Sequence, residues 1–177
     1  MTTFLHATTA TRRLVILSML AACGLVIFVF ESFLPVLPWF RPGLGNIATI
    51  LALLLFGFTD SMKVTLLRVM LGALVLGRLF TPGFVFALAG GIASTLVMAF
   101  VMRSTKLFGP VGISVLGAVA HNIVQLAVAY FLFVRSAELF IFIPVFVMTG
   151  VATGALTGLV SAMILEKISR GPLAEGV

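Results

Sequence analysis

The chain has 177 residues, 62% of them hydrophobic and only 9% charged, with a mean hydropathy of +1.30. Soluble domains carry about 25% charged residues, so this composition excludes a soluble globular protein and describes an integral membrane protein. The net charge of +6 is spread over segment ends rather than gathered into a patch, which argues against a nucleic-acid surface, and Cys23 alone supports neither a disulfide framework nor a cysteine metal site.

The N-terminal MTTFLHATTATRR places Arg12 and Arg13 ahead of an apolar run, as a signal peptide would. That run continues to about Phe30 without a small-residue exit, so a retained spanning helix is expected. At about 20 apolar residues per span, six helices are predicted, over 13–32, 44–61, 63–80, 83–102, 110–134 and 140–165. The expected fold is an all-α integral membrane bundle of six transmembrane helices forming one domain over 1–177, with short connections except the first. Arg12, Arg13, Lys63, Arg103, Lys106, Lys167 and Arg170 fall on one side and Arg41, Arg78 and Arg135 on the other. The positive-inside rule then puts both termini in the cytoplasm.

In the first helix Ser18, Ala21, Ala22 and Gly24 form a small-residue face suited to close approach by another helix, internal or from a partner. Glu31 ends this helix, either solvated or facing the outer end of a cavity. The following SFLPVLPWFRPGLGN contains Pro35, Pro38 and Pro42 and the run Trp39-Phe40-Arg41. Three prolines forbid a regular helix and the aromatics suit the headgroup region, so 32–43 reads as an outer interfacial loop, an anchor or a lid. Asn46 either caps the second helix or helps its N-terminus hold an anionic ligand group. Asp60 and Lys63 read as a solvated pair in the next turn.

Arg68 lies about 7.5 Å along the third helix from Lys63, at 1.5 Å per residue. It either snorkels to the interface or pairs inside the bundle. Arg78, near the outer end, meets an anion or lipid headgroups. The fourth helix gathers Ala89, Gly90, Gly91, Ala93, Ser94 and Thr95 at its middle, for which packing is the default reading and ligand space the alternative. The fifth, GPVGISVLGAVAHNIVQLAVAYFLFVR over 109–135, carries His121, Asn122 and Gln125 at mid-span, expected to point into one sector. His121 sits roughly 18 Å in from Gly109 and Gln125 about 6 Å further. Such groups in hydrocarbon need a partner, a cavity or a ligand. In the sixth helix Gly150, Gly154 and Gly158 recur every fourth residue, pressing one face on another helix of this chain or of a partner.

Glu31 with Leu34 and Pro35, Gly43-Leu44-Gly45-Asn46, Arg68 with Gly72, the small stretch around Ser94, and Gly112-Ile113-Ser114 through Gly117 to His121-Asn122 and Gln125 together resemble the Gx transporter family, also labelled heptaprenyl diphosphate synthase component I. That family is similar to the substrate-binding S components of energy-coupling factor vitamin transporters. The resemblance implies six helices in a bacterial cytoplasmic membrane and an outward-opening pocket; in such a pocket His121, Asn122 and Gln125 would give polar contacts, Arg68 or Arg78 would offset ligand charge, and Glu31 and Asn46 would line the outer opening. It also implies a first helix whose Ser18, Ala21 and Ala22 meet a coupling subunit. Some members are associated with flavin-linked electron transfer, so a flavin or quinone bound by a membrane subunit that docks a redox flavoprotein is the alternative. Prenyl-synthase catalysis needs aspartate-rich motifs, and Asp60 is the single aspartate; with no Walker motif either, the chain is expected to be no enzyme and to have no resident metal. His121 is the one histidine inside a predicted span, His6 lying in the polar tail, which disfavours haem. A purely structural role, with the three polar residues fastening the bundle, is the third reading.

Overall fold

The structure, a computed structural model, describes residues 10–33, 43–105 and 107–170. Among these residues it is helical without strands: α1 (Ala10–Glu31), α2 (Asn46–Phe56), α3 (Phe58–Val75), α4 (Pro82–Ser104), α5 (Pro110–Ala129) and α6 (Ile143–Arg170). A π-helical turn at Tyr130–Val134 and a 3-10 segment at Ala137–Phe142 join α5 to α6. The loop read as an anchor or lid, with Trp39 and Arg41, lies outside the described residues, as do His6 and Lys106.

Four stretches are long and apolar enough to cross a bilayer: Thr11–Glu31, Pro82–Ser104, Pro110–Val134 and Ala137–Arg170. They fit a multi-pass membrane protein. The second predicted span differs most from expectation. α2 has only 11 residues, about 16 Å at 1.5 Å per residue, because the chain turns at Gly57 with φ of 91°, a left-handed conformation that favours glycine. Residues 58–61, expected at the end of the second span, instead open α3. α3 stops at Val75 rather than 80, where the Arg78 N–H donates to Ala73 O at 2.8 Å and Gly77 takes φ of 62°. α4 and α5 both begin at a proline, Pro82 and Pro110, whose missing N–H costs nothing at a helix start.

The short α2 is the centre of the packing and touches α1, α3, α4 and α6. Ile50, Ala52 and Leu53 are wholly buried. Ile50 and Leu53 pack with Met98, Ala99 and Ile113, while Ala48 and Ala52 pack with Val64. The reverse pattern holds outside, where Leu14, Val26 and Phe30 of α1, Phe100 of α4 and Met163 of α6 are exposed, as lipid-facing positions are. Basic residues collect at one end: α1 and α3 start there and α4 and α6 finish there, bringing Arg12, Arg13, Lys63, Arg103, Lys167 and Arg170 together. At that end Asp60 is buried rather than solvated. Arg13 of α1 binds it through Nε at 2.7 Å and through its terminal nitrogen, and Lys63 through Nζ at 3.1 Å.

The glycine stripe of α6 is pressed on α5 of the same chain. A Cβ at Gly150 would come 3.0 Å from the Val119 Cα, and at Gly154 and Gly158 2.6 Å from the Cα atoms of Val115 and Val111. Ser114 and Thr157 join this interface through their hydroxyls at 2.8 Å. On α1, Ser18 and Ala22 are exposed and Ala21 is half-buried, whereas Gly24 faces inward against Ala48.

Because backbone cannot yield as a side chain does, Gly154→Val should force α6 off α5 and cost about 3 kcal/mol or more. Gly109→Ala, where a Cβ meets nothing within 4 Å, should leave the melting temperature of the detergent-solubilised protein unchanged. Equal melting curves for the two variants would refute this packing.

Candidate functional site

Buried polar side chains form two groups at the level of mid-bundle. The first surrounds Arg68, which is 4% exposed and therefore does not snorkel. Its stem passes Gly24 and its guanidinium lies over Gly45: a Cβ on these glycines would come 3.3 Å from Arg68 Cδ and 2.5 Å from Arg68 Nη1. Arg68 Nη2 donates to Asn46 Oδ1 at 3.0 Å. Asn46 is thus the first residue of α2 rather than its cap, which is Gly45. Glu31, expected to be solvated or at a cavity's outer end, is buried; it accepts the Leu44 N–H at the start of α2, and its charge favours that of Arg68. An internal carboxylate therefore already occupies the helix terminus where a ligand anion was considered. Arg78 stands apart, exposed, beside a cavity of about 10 Å³ shared with Phe28, Ala73 and Thr81.

The second group lies on α5, and there the three residues expected in one sector separate. Asn122 faces α6, where Nδ2 donates to Phe146 O at 2.8 Å and lies 3.3 Å from Thr149 Oγ1. His121 and Gln125 face α4. The His121 ring lies against Gly90, where a Cβ would come within 2.9 Å of it. Gln125 Nε2 lies 2.9 Å from His121 Nε2 and 3.5 Å from Phe86 O. On the next turn of the same α4–α5 seam, Ser94 is 1% exposed, and a Cβ at Gly117 would reach its Oγ at 3.0 Å. The sequence left the stretch around Ser94 between packing and ligand space, and its hydroxyl among glycines was the signal for the latter.

Hydroxyls span the remaining interior. Thr49, Thr65 and Thr95 link α2, α3 and α4 at 3.0 and 3.1 Å, and Thr95 donates onward to Gly91 O at 2.8 Å. Ser61 Oγ donates to Thr49 O at 2.9 Å. This ladder was not foreseen. No cluster of three or more His, Cys, Asp or Glu occurs among the described residues. A second cavity, an open groove of about 390 Å³, runs between α1 and α3 and is lined by Leu25, Val26, Val29, Phe30, Phe33 and Val75. His121, Asn122 and Gln125 line neither cavity.

A family model described as heptaprenyl diphosphate synthase component I matches residues 20–164. No curated protein and no solved structure matches the chain.

Removing one member of a buried charge pair leaves the other uncompensated, at about 3–5 kcal/mol. Arg68→Met should accordingly destabilise strongly. Adding Glu31→Gln, which keeps an acceptor for the Leu44 N–H, should recover part of that loss in denaturant titrations of the solubilised protein. An Arg68→Met variant as stable as the parent would refute the arrangement.

Proposed function

The chain belongs to the heptaprenyl diphosphate synthase component I family, and from that membership we propose a small-molecule-binding subunit of a membrane transporter, built like an energy-coupling factor S component. The solute is vitamin-like, flavin-like or isoprenoid-related. The observation that carries this reading is the α4–α5 seam. There the His121 ring, bonded to Gln125, lies on Gly90, and one turn along the buried Ser94 lies by Gly117, so the polar capacity exceeds what the neighbouring helix uses. Polar groups within membrane segments characteristically mark ligand paths.

In this reading α2 and α3 complete six spans, with the basic end cytoplasmic by the positive-inside rule in a bacterial inner membrane. Both termini then face the cytoplasm. Solute reaches the seam from the Glu31 end and meets Gln125 one turn before His121. Glu31, Asn46 and Arg68 shape the outer part, and Arg78 the rim. The exposed Ser18 and Ala22 of α1, with Ala21 beside them, are available to a coupling subunit. Asn122 is a fastener of α5 to α6, since its amide is engaged there.

The subunit itself performs no prenyl transfer. Diphosphate chemistry of that kind requires several carboxylates around magnesium, whereas Asp60 is held by Arg13 and Lys63. A membrane subunit of a flavin- or quinone-linked electron-transfer assembly, docking a redox flavoprotein, is the second reading. It is favoured by the same seam, whose imidazole suits a carbonyl.

Protein purified in mild detergent should retain a small molecule identifiable by extraction and mass analysis. His121→Ala and Gln125→Ala should each lower its retention about tenfold, the equivalent of one or two hydrogen bonds, with the fold intact. Asn122→Ala should instead lower stability by about 1 kcal/mol and keep the ligand. Unchanged retention in both seam variants would refute the proposal; co-purification with a flavoprotein rather than an ATPase module would favour the second reading.

A further inference from the structure

Three buried side-chain atoms among the described residues lack a hydrogen-bond partner: Arg68 Nε, Ser94 Oγ and His121 Nδ1. Two of them belong to the α4–α5 seam. Gly90 and Ser94 are one turn apart on α4, and Gly117 and His121 one turn apart on α5, so the two orphaned groups are separated by about one turn, or 6 Å of helix rise. Ser94 is 1% exposed and the His121 ring is pressed on Gly90, leaving water little access to either.

The protonation of His121 follows from Gln125. An amide nitrogen donates and does not accept. Gln125 Nε2 directs its two hydrogens to Phe86 O and to His121 Nε2. His121 Nε2 is therefore an acceptor without a proton, the ring is neutral, and its single proton sits on Nδ1. That N–H lies beside the Gly90 backbone without a well-formed hydrogen bond. Ser94 Oγ–H is the second donor, and a serine in a helix interior ordinarily satisfies itself on the carbonyl one turn back, which this one does not do.

We propose that the α4–α5 seam binds a neutral ligand through a carbonyl oxygen, with His121 Nδ1–H and Ser94 Oγ–H as the two donors offered to it. Both orphaned seam groups can donate, so the complementary ligand atom is an oxygen acceptor. Neutrality follows from charge accounting. His121 and Ser94 bring no charge, and the cation of Arg68, whose field reaches His121, is already opposed by Glu31. A carboxylate would add an uncompensated charge inside the bundle, which is costly in hydrocarbon. This assignment rests on the reading of the seam as the ligand site.

The test uses the full chain labelled with 15N in its histidine rings, with His6→Gln leaving His121 as the only signal. Nitrogen chemical shifts should report an Nδ1–H tautomer. Titration with 2,3-dimethyl-1,4-naphthoquinone, whose blocked ring positions cannot add to the exposed Cys23, should shift the Nδ1 resonance. Ser94→Ala should weaken that titration roughly threefold to tenfold, the value of one hydrogen bond, with a melting temperature no lower than the parent's. 1-Naphthoate at equal concentration should leave the resonance in place. An Nε2–H tautomer, or a shift insensitive to Ser94→Ala, would overturn the donor assignment. Tighter binding of the naphthoate would overturn the neutral-carbonyl class. Either result leaves the broader ligand-site reading standing if retention of the co-purified molecule still depends on His121 and Gln125; loss of that dependence sinks the broader reading instead.

Discussion

A guanidinium inside an apolar bundle must be surrounded, and Arg68 sets the geometry of the first three helices for that reason. A charged group unpaired in a low-dielectric interior is costly enough that the surrounding structure has to supply partners. Here the partners come from different helices: Asn46 from α2 by direct hydrogen bond, and Glu31 from α1 by its charge. Room comes from Gly45, where a side chain would collide with the guanidinium, and from Gly24, where one would clash with Ala48 and crowd the Arg68 stem. Glu31 also accepts the Leu44 N–H, so the same carboxylate positions the start of α2. The central helix is thus held at its N-terminus by a charge network and one turn further on, at Thr49, by the threonine ladder.

Much of the helix inventory was legible because hydrocarbon-length apolar runs can be counted directly. α1, α4, α5 and α6 all lie close to their predicted spans. The break at Gly57 was not legible, since a glycine within an apolar run carries no hydropathy signal and only its positive φ divides α2 from α3. The glycine stripe of α6 was read correctly as a close-contact face, yet its partner could not be deduced. A sequence shows that backbone approaches backbone there, without showing that the other backbone is α5. Arg68 posed the same difficulty. Snorkelling and internal pairing are equally compatible with its position along α3, and the glycines that decide between them belong to other segments.

His121 and Asn122 carry a further lesson about α5. Successive helical residues differ by about 100° in direction, so two adjacent polar side chains address different neighbours whenever helices flank both sides. α5 is flanked in this way, by α4 and α6. Its α6 side is polar and closed. Asn122, Thr149, Ser114 and Thr157 engage one another or nearby carbonyls, and three glycines bring the backbones together. Measured polar contacts of this kind between membrane helices average about 0.6 kcal/mol, enough to fasten a seam already held by packing.

The α4 side has the same small-residue construction but a different hydrogen-bond balance. Gly90 and Gly117 make room for side chains rather than backbone, the His121 ring at one and Met98 with the Ser94 hydroxyl at the other, and yet Ser94 Oγ and His121 Nδ1 end without partners. Had selection acted only for packing, alanine at 94 and an apolar residue at 121 would fill this seam without leaving buried donors, each of which costs about 1–3 kcal/mol when unsatisfied. A closed seam lies on one face of α5 and an unsatisfied one on the other, and this difference is what the proposed ligand site rests on: a ligand at the unsatisfied face would add interactions that the protein does not already make with itself.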